Sequence, residues 1–261
     1  MRIAIGLEYD GGPFHGWQSQ ADGSGVQDAV ERALSAIAGA PVRAVAAGRT
    51  DAGVHAAIQV VHFDSEARRP DTAWVRGVNA TLPGSVAVRW ALPVPEAFHA
   101  RFAATGRHYT YLLLDRPVRP ALCAGRVGWY HRPLAVEAMR AAAEALAGTH
   151  DFSAFRAAEC QAKSPVRRLE RIAIAREDDM IRFELHADAF LQHMVRNIVG
   201  ALVYVGDGRQ PAGWIAELLA GRDRTRGAPT FAAAGLYLTG IDYPARWNLP
   251  ETVVAVRVPR S

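Results

Sequence analysis

Apolar and polar residues alternate from Arg2 to Tyr9, with Ile3, Ile5 and Leu7 spaced by two, and this period predicts a β-strand. Between Gly25 and Ala38 the period lengthens. Val26, Val30, Ala33, Leu34 and Ile37 recur every three or four residues, the stripe of an amphipathic helix that Gly39 and Pro41 bring to an end. A further strand then delivers Gly48 to a loop, Ala56 to Phe63 reads as a strand, Asp71 caps a helix reaching Ala80, and Ser85 to Leu92 returns as a strand. The first half ends near Arg101. The second follows a similar plan: a strand from Arg107 to Leu114, an alanine-rich helix from Leu134 to Ala147, and strands Arg168 to Ala175 and Ile181 to His186 forming a hairpin around Glu177, Asp178 and Asp179. A helix from Ala189 to Val205 places Leu191, Met194, Val195, Ile198, Val199, Leu202 and Val203 on one face, which is core. A shorter helix, Ala212 to Ala220, and a strand, Leu236 to Ile241, follow. No short period repeats, which excludes solenoids and propellers. The expected fold is α+β: a mixed, mostly antiparallel sheet flanked by helices, built as two similar α/β halves, 1–104 and 105–261, with the active-site cleft between them.

Composition changes this picture little. A chain of 261 residues that is half hydrophobic buries a large core. No stretch approaches the roughly 18 to 20 apolar residues of a membrane span, so a soluble cytoplasmic protein is expected. Cys123 and Cys160 are too few for a disulfide framework and lie in no metal-binding spacing. The nine histidines, among them His15, His55, His99, His108, His131 and His193, form no HExxH, HxxEH or HxH pattern, so no metal site is expected. The net charge of +4 tolerates a phosphate-rich partner without requiring one. Of the 30 basic residues only Lys163 is lysine. Arginine's planar fork suits phosphates and guanine edges, and a GC-rich coding bias gives the same skew. The local clusters are Arg167, Arg168 and Arg171, then Arg222, Arg224 and Arg226, with Arg101 and Arg107 beside the Tyr109 strand.

The densest chemical signal is the octapeptide GRTDAGVH, Gly48 to His55, where an arginine and an aspartate share a glycine-bounded loop backed by an apolar strand. Glycine permits a sharp turn and close approach of a ligand, and the strand supplies rigidity. Asp51 is therefore held as well as exposed. This string resembles the signature of the TruA-type tRNA pseudouridine synthases. Three further segments resemble the same family in order and spacing: YDGGPFHGWQSQ from Tyr9, FHARFAATGRHYTY from Phe98 and FLQHMVRNIVG from Phe190; the stretch Trp214 to Pro244 continues the likeness. Gly12 stands where threonine is frequent in the family.

The resemblance implies isomerisation of uridine to pseudouridine at positions 38, 39 and 40 of the anticodon stem and loop, with Asp51 as nucleophile, no cofactor, tRNA as partner and a homodimer that shares one tRNA. Breaking a C–N glycosidic bond calls for a carboxylate that attacks or stabilises an electron-poor centre. Burial alone favours a neutral carboxylic acid, whereas an adjacent arginine favours the anion, so a paired arginine is expected. Arg196 lies at the margin of its helix's buried stripe, and the matching family arginine pairs with the aspartate. A stacked uridine must also be flipped out, at a cost of a few kcal/mol. Tyr109 can stack on the freed base, and its hydroxyl can shuttle a proton from C5. Tyr109 and Tyr111 share one strand face, and a basic residue two before the tyrosine, as in the family, points to Arg107 and Tyr109. The resemblance gives Arg49 the base-flipping role, and makes the loop of Asp10, Gly11, Gly12, Phe14, Gly16, Trp17 and Gln18 an RNA contact; aromatic packing is the other reading of Phe14 and Trp17. His55 is expected to shape the loop, and His193 to lie on the polar side of its helix. An RNA chaperone without turnover and an RNA N-glycosylase are the alternatives.

Overall fold

The computed structural model describes residues 1–256, and its contacts group the chain into two units, Met1–Gly106 with Tyr237–Val256, and Arg107–Leu236. A division at 104/105 therefore leaves out the return of the chain to the first unit at Tyr237. The final five residues of the expected second half lie outside the described residues.

The first unit opens with β1 (Arg2–Tyr9), the central strand of an antiparallel set. Gly25 starts α1 (Val26–Ala38), and Asp28 at the third helical position accepts its amide at 3.0 Å. Of the predicted stripe Val26, Val30, Ala33 and Leu34 are buried, joined by Ala29, while Ile37 in the last turn is half-buried. The short β2 (Val45–Ala46) pairs with β3 (His55–Asp64), which is covered on both faces. A helical stretch over residues 71–81 follows, a π turn Ala73–Gly77 running into α2 (Val78–Thr81). Asp71 is inside this stretch and not its cap, because the Pro70 carbonyl accepts the Ala73 amide at 2.8 Å. The strand β4 (Val86–Val94) completes the antiparallel order β4–β1–β3.

The second unit pairs β5 (Gly106–Asp115) in parallel with β6 (Gly128–Tyr130) and antiparallel with β9 (Met180–Ala187). After α3 (Val136–Ala143) come β7 (Gly148–Asp151) and β8 (Val166–Glu177), giving the order β5–β9–β8–β7. The hairpin turn is at Asp178, which takes a left-handed φ of 56°. The helix α3 starts two residues later than its pattern, since the Leu134 amide donates to the buried Asp115 carboxylate at 2.9 Å. The helix α4 (Met194–Gly206) is the apolar helix of this unit, followed by α5 (Trp214–Gly221). Residues 189–193, expected as its first turn, are not helical. Asp188 Oδ1 captures the Ala189 amide at 2.6 Å, and His193 adopts φ 62°, a left-handed conformation that interrupts a right-handed helix. His193 is thus the residue that caps α4, and is not on its polar face.

The chain then re-enters the first unit as β10 (Leu236–Asp242), parallel to β3. Both units are mixed and mostly antiparallel, as the alternation of short strands and helices predicts. No helix among the described residues is long and apolar enough to cross a membrane.

One buried histidine gives the first unit a pH-dependent stability. His62 on β3 is 4% exposed and accepts the Ala100 amide at Nδ1, 3.1 Å away. Burial, then the charges of Arg2 and His99, depress its pKa to about 4. The unfolded chain takes up the proton near the ordinary value of about 6.5, so this stability is complete above that pH and is lost as pH falls towards 4. At 1.36 kcal/mol per pH unit the difference is roughly 3 kcal/mol. Denaturant titrations at pH 7 and pH 4 should show that loss in the wild type, and a His62→Asn variant should lose correspondingly less.

Candidate active site

The loop after β2 owes its shape to the sheet beneath it. Gln59, fully buried on β3, donates from Nε2 to the Gly48 carbonyl at 2.8 Å. Two residues further on, Thr50 shares a 2.8 Å hydrogen bond between its Oγ1 and the hydroxyl of Tyr9 at the end of β1. The register of β1 against β3 shifts between Leu7, opposite Gln59, and Tyr9, opposite Ala56. Such a bulge re-aims side chains, here at the strand end under Thr50. Burial pushes the Tyr9 phenol up to about 12, with the hydrogen bond to Thr50 and then the neighbouring Gln59 amide acting in the opposite direction. The hydroxyl is therefore neutral at physiological pH. Gln59 Oε1 is buried and has no hydrogen-bond partner among the described residues, a state that costs about 1–3 kcal/mol.

Asp51 follows Thr50 and is half-buried, while Arg49 is exposed. The loop closes through a turn in which the Val54 amide donates to the Asp51 carbonyl at 3.1 Å, with Gly53 at φ 75°, a conformation that favours glycine. The preceding glycine-rich loop locks onto this turn. Trp17 N donates to the Thr50 carbonyl at 3.0 Å, and Gly53 N to the Phe14 carbonyl at 3.4 Å. Gly11 lies so close to Val54 that an added Cβ would meet the Val54 carbonyl oxygen at 2.0 Å. His55 is buried, accepts the Gly11 amide at Nδ1 (3.1 Å) and stacks on Tyr237 at 4.7 Å. Its contacts join the two loops, as the sequence suggests.

The expected RNA-contacting residues of this loop divide. Gln18 is exposed and Phe14 half-buried, so both offer surface. Trp17 does not: it is 2% exposed and packs on Tyr9 with ring centroids 6.0 Å apart. An indole enclosed in this way supports the loop and has no face for a base, which corrects its assignment as a substrate contact.

In the second unit β5 aligns Arg107, Tyr109 and Tyr111 on one face by its period of two. Tyr111 is sealed. Its hydroxyl donates to the Ala232 carbonyl at 2.8 Å and burial raises its pKa. Tyr109 is half-buried against Phe190, edge to face at 5.0 Å, so of the two tyrosines it is the one with accessible ring. Arg107 donates from Nη1 to the Asp188 carbonyl at 2.9 Å, next to the turn that precedes α4.

Arg196, in the first turn of α4, donates from Nε to the Phe231 carbonyl at 2.8 Å, and Phe231 N returns a 3.3 Å bond to the Arg196 carbonyl. The segment carrying Phe231 is itself fastened by the buried Asn197, whose Oδ1 accepts from Thr230 Oγ1 at 2.7 Å and from Arg224 at 3.1 Å. Burial lowers the Arg224 pKa. Arg224 thus serves the fold, whatever its neighbours do. Arg171 and Arg222 likewise lie within 3.8 Å and 3.5 Å of Glu184 and Asp151. Asn197 and Thr230 are residues sequence reasoning missed, because an asparagine in an apolar helix face gives no sign of what it holds.

The family model described as tRNA pseudouridine synthase matches residues 7–103 and 142–244. The chain is 63% identical to the tRNA pseudouridine synthase A of Thiobacillus denitrificans, over 97% of each chain. It is 61% identical to that of Chromobacterium violaceum over 99% of each, and 59% identical to that of Dechloromonas aromatica over 96% of each.

Proposed function

Because this chain belongs to the tRNA pseudouridine synthase family, we propose that it isomerises uridine to pseudouridine at positions 38, 39 and 40 in the anticodon stem and loop of tRNA, with Asp51 as nucleophile. The observation that carries the residue assignment is the loop itself. Arg49 and Asp51 stand on a turn whose flanking residues, Gly48 and Thr50, are tied to buried side chains of the sheet. A rigidly mounted carboxylate is what nucleophilic attack at a sugar carbon requires.

In this reading the uridine is flipped out of its stack, and Arg49 occupies the space it leaves. The Asp51 carboxylate bonds to C1′ as the bond to N1 breaks, the base turns, and C5 attacks C1′ to release the carboxylate. The proton on C5 leaves and N1 gains one, so product and substrate are isomers. Tyr109 stacks on the base and relays the C5 proton, Arg196 is the cationic partner of Asp51, and Arg107, Phe14 and Gln18 contact the RNA. No oxidation or external group enters, so no cofactor is required. The proposal includes a homodimer sharing one tRNA, and the cytoplasm as its compartment; both rest on the family resemblance.

Tritium release from tRNA carrying [5-³H]uridine tests the activity, since the C5 hydrogen is lost only when C5 bonds to the sugar. Release with no free uracil supports an isomerase. Free uracil would instead identify a glycosylase, and binding without release a non-catalytic RNA protein. A Tyr109→Phe variant should bind tRNA within about twofold of wild type, because the ring still stacks, while its turnover falls by roughly 10²-fold or more if the hydroxyl moves the proton. Wild-type turnover in that variant removes the proton-relay role.

A further inference from the structure

Three buried polar side chains meet at the Asp51 loop, one of them within it and two on the strands beneath it. Tyr9 is 4% exposed, Thr50 6% and Gln59 0%. None belongs to a chemical step described above. Their bonds fall at alternate residues of the loop: Gln59 Nε2 on the Gly48 carbonyl, Tyr9 Oη on Thr50 Oγ1. The backbone adds to them, with Ala47 N bonded to the Val60 carbonyl at 2.8 Å and Trp17 N to the Thr50 carbonyl at 3.0 Å. The chain on both sides of Arg49 is thus anchored up to the residue before Asp51.

Stability alone does not account for this arrangement. A packed apolar trio would fill the same space without burying an oxygen, Gln59 Oε1, that no described residue satisfies. Retaining that oxygen makes sense if the amide nitrogen on the same side chain has work at Gly48. A lone hydroxyl pair under a loop likewise fixes direction, since a hydrogen bond constrains angle where an apolar contact does not.

We propose that Tyr9, Thr50 and Gln59 form a clamp that aims the Asp51 carboxylate, and that Tyr9 and Gln59 are positioning residues for the isomerisation. The inference rests on Asp51 being the nucleophile, and its test separates the two. Tyr9→Phe and Thr50→Val each remove one side of the hydroxyl pair with little change of volume, and Gln59→Leu removes the bond to Gly48 together with the unsatisfied oxygen. A misplacement of about 1 Å can cost 10²-fold in rate, so each variant should slow single-turnover tritium release by about tenfold to 10²-fold while its tRNA Kd stays within about twofold of wild type. Thermal midpoints should not follow the rates, and Gln59→Leu in particular should unfold close to wild type. The Tyr9→Phe/Thr50→Val double variant should be about as slow as the slower single variant, because both lose the same bond.

Single variants that release tritium within twofold of wild type, or a double variant whose loss is the product of the two, would overturn the clamp. Hydrogen exchange over residues 48–54 supplies a readout independent of turnover. The clamp requires faster exchange in Tyr9→Phe than in wild type, and unchanged exchange would overturn it. If the wild-type protein itself releases no tritium, the functional reading fails, and the exchange rates still decide whether the loop is clamped.

Discussion

An Asp51→Asn variant is expected to bind tRNA as wild type does and to release no measurable tritium from C5 of uridine. The carboxamide keeps the size and most hydrogen bonding of the side chain, so the loop should hold. Asp51 is half-buried, and the contacts that shape its turn run through its own carbonyl and the backbone of Phe14, Thr50 and Val54. What the variant loses is the carboxylate oxygen proposed as the nucleophile. Removing a covalent nucleophile costs on the order of 10⁴-fold or more in kcat, with little change in binding when the group is not a binding determinant. Gel-shift titration and single-turnover kinetics on the same preparation give both numbers. Equal losses in Kd and rate would mean that Asp51 binds the RNA and does not carry the chemistry.

The second large effect is expected at Gly11. Alanine there would place Cβ 2.0 Å from the Val54 carbonyl oxygen and 2.5 Å from its carbon. Backbone cannot step aside as a flexible side chain can. The two loops must separate, which breaks the bond from Gly11 N to His55 and loosens the pairing of Phe14 with Gly53. Overpacking of this kind costs roughly 1–3 kcal/mol. The loss of rate should be larger in proportion, about 10²-fold or more, since the displaced turn is the one that holds Asp51. Gly84→Ala is the matched control, because a Cβ at Gly84 meets nothing within 4 Å. Chemical denaturation and tritium release should leave that control near wild type. A Gly11→Ala protein with normal rate and stability would show that the close approach to Val54 is not needed.

The elements that the chain announces most clearly are those whose information is local. Ile3, Ile5 and Leu7 alternate, and β1 runs Arg2–Tyr9; Val26, Val30, Ala33 and Leu34 form a stripe, and α1 runs Val26–Ala38. The Asp51 loop is legible as well, because its glycines and charged residues lie in one octapeptide. Long-range partners are harder to read. Nothing in Leu236 to Asp242 says that this strand lies parallel to β3, and β6 and β7, at three and four residues, are too short for alternation to show. The helix pattern from Ala189 continues upstream of α4 because Leu191 has a helical spacing to Met194 and Val195, yet Asp188 and the left-handed His193 decide where the helix begins. Burial of single aromatics is equally hidden. Trp17 in a glycine-rich loop reads equally as an RNA contact or as packing, and the bulged end of β1 is what brings Tyr9 against it. The sole sequence trace of the clamp is Gln59, a polar residue in the apolar run HAAIQVVHF, whose purpose depends on a carbonyl eleven residues earlier.

The central claim is that this chain rearranges uridine in place within the anticodon arm through the carboxylate at position 51. Its most direct test is a nucleotide-resolution pseudouridine map of tRNA, lacking this modification at the start, after incubation with the wild-type protein or with Asp51→Asn. New pseudouridine confined to positions 38, 39 and 40 with wild type, and none with the variant, is the predicted result. Pseudouridine outside the anticodon stem and loop, or an unchanged map with the variant, would contradict it.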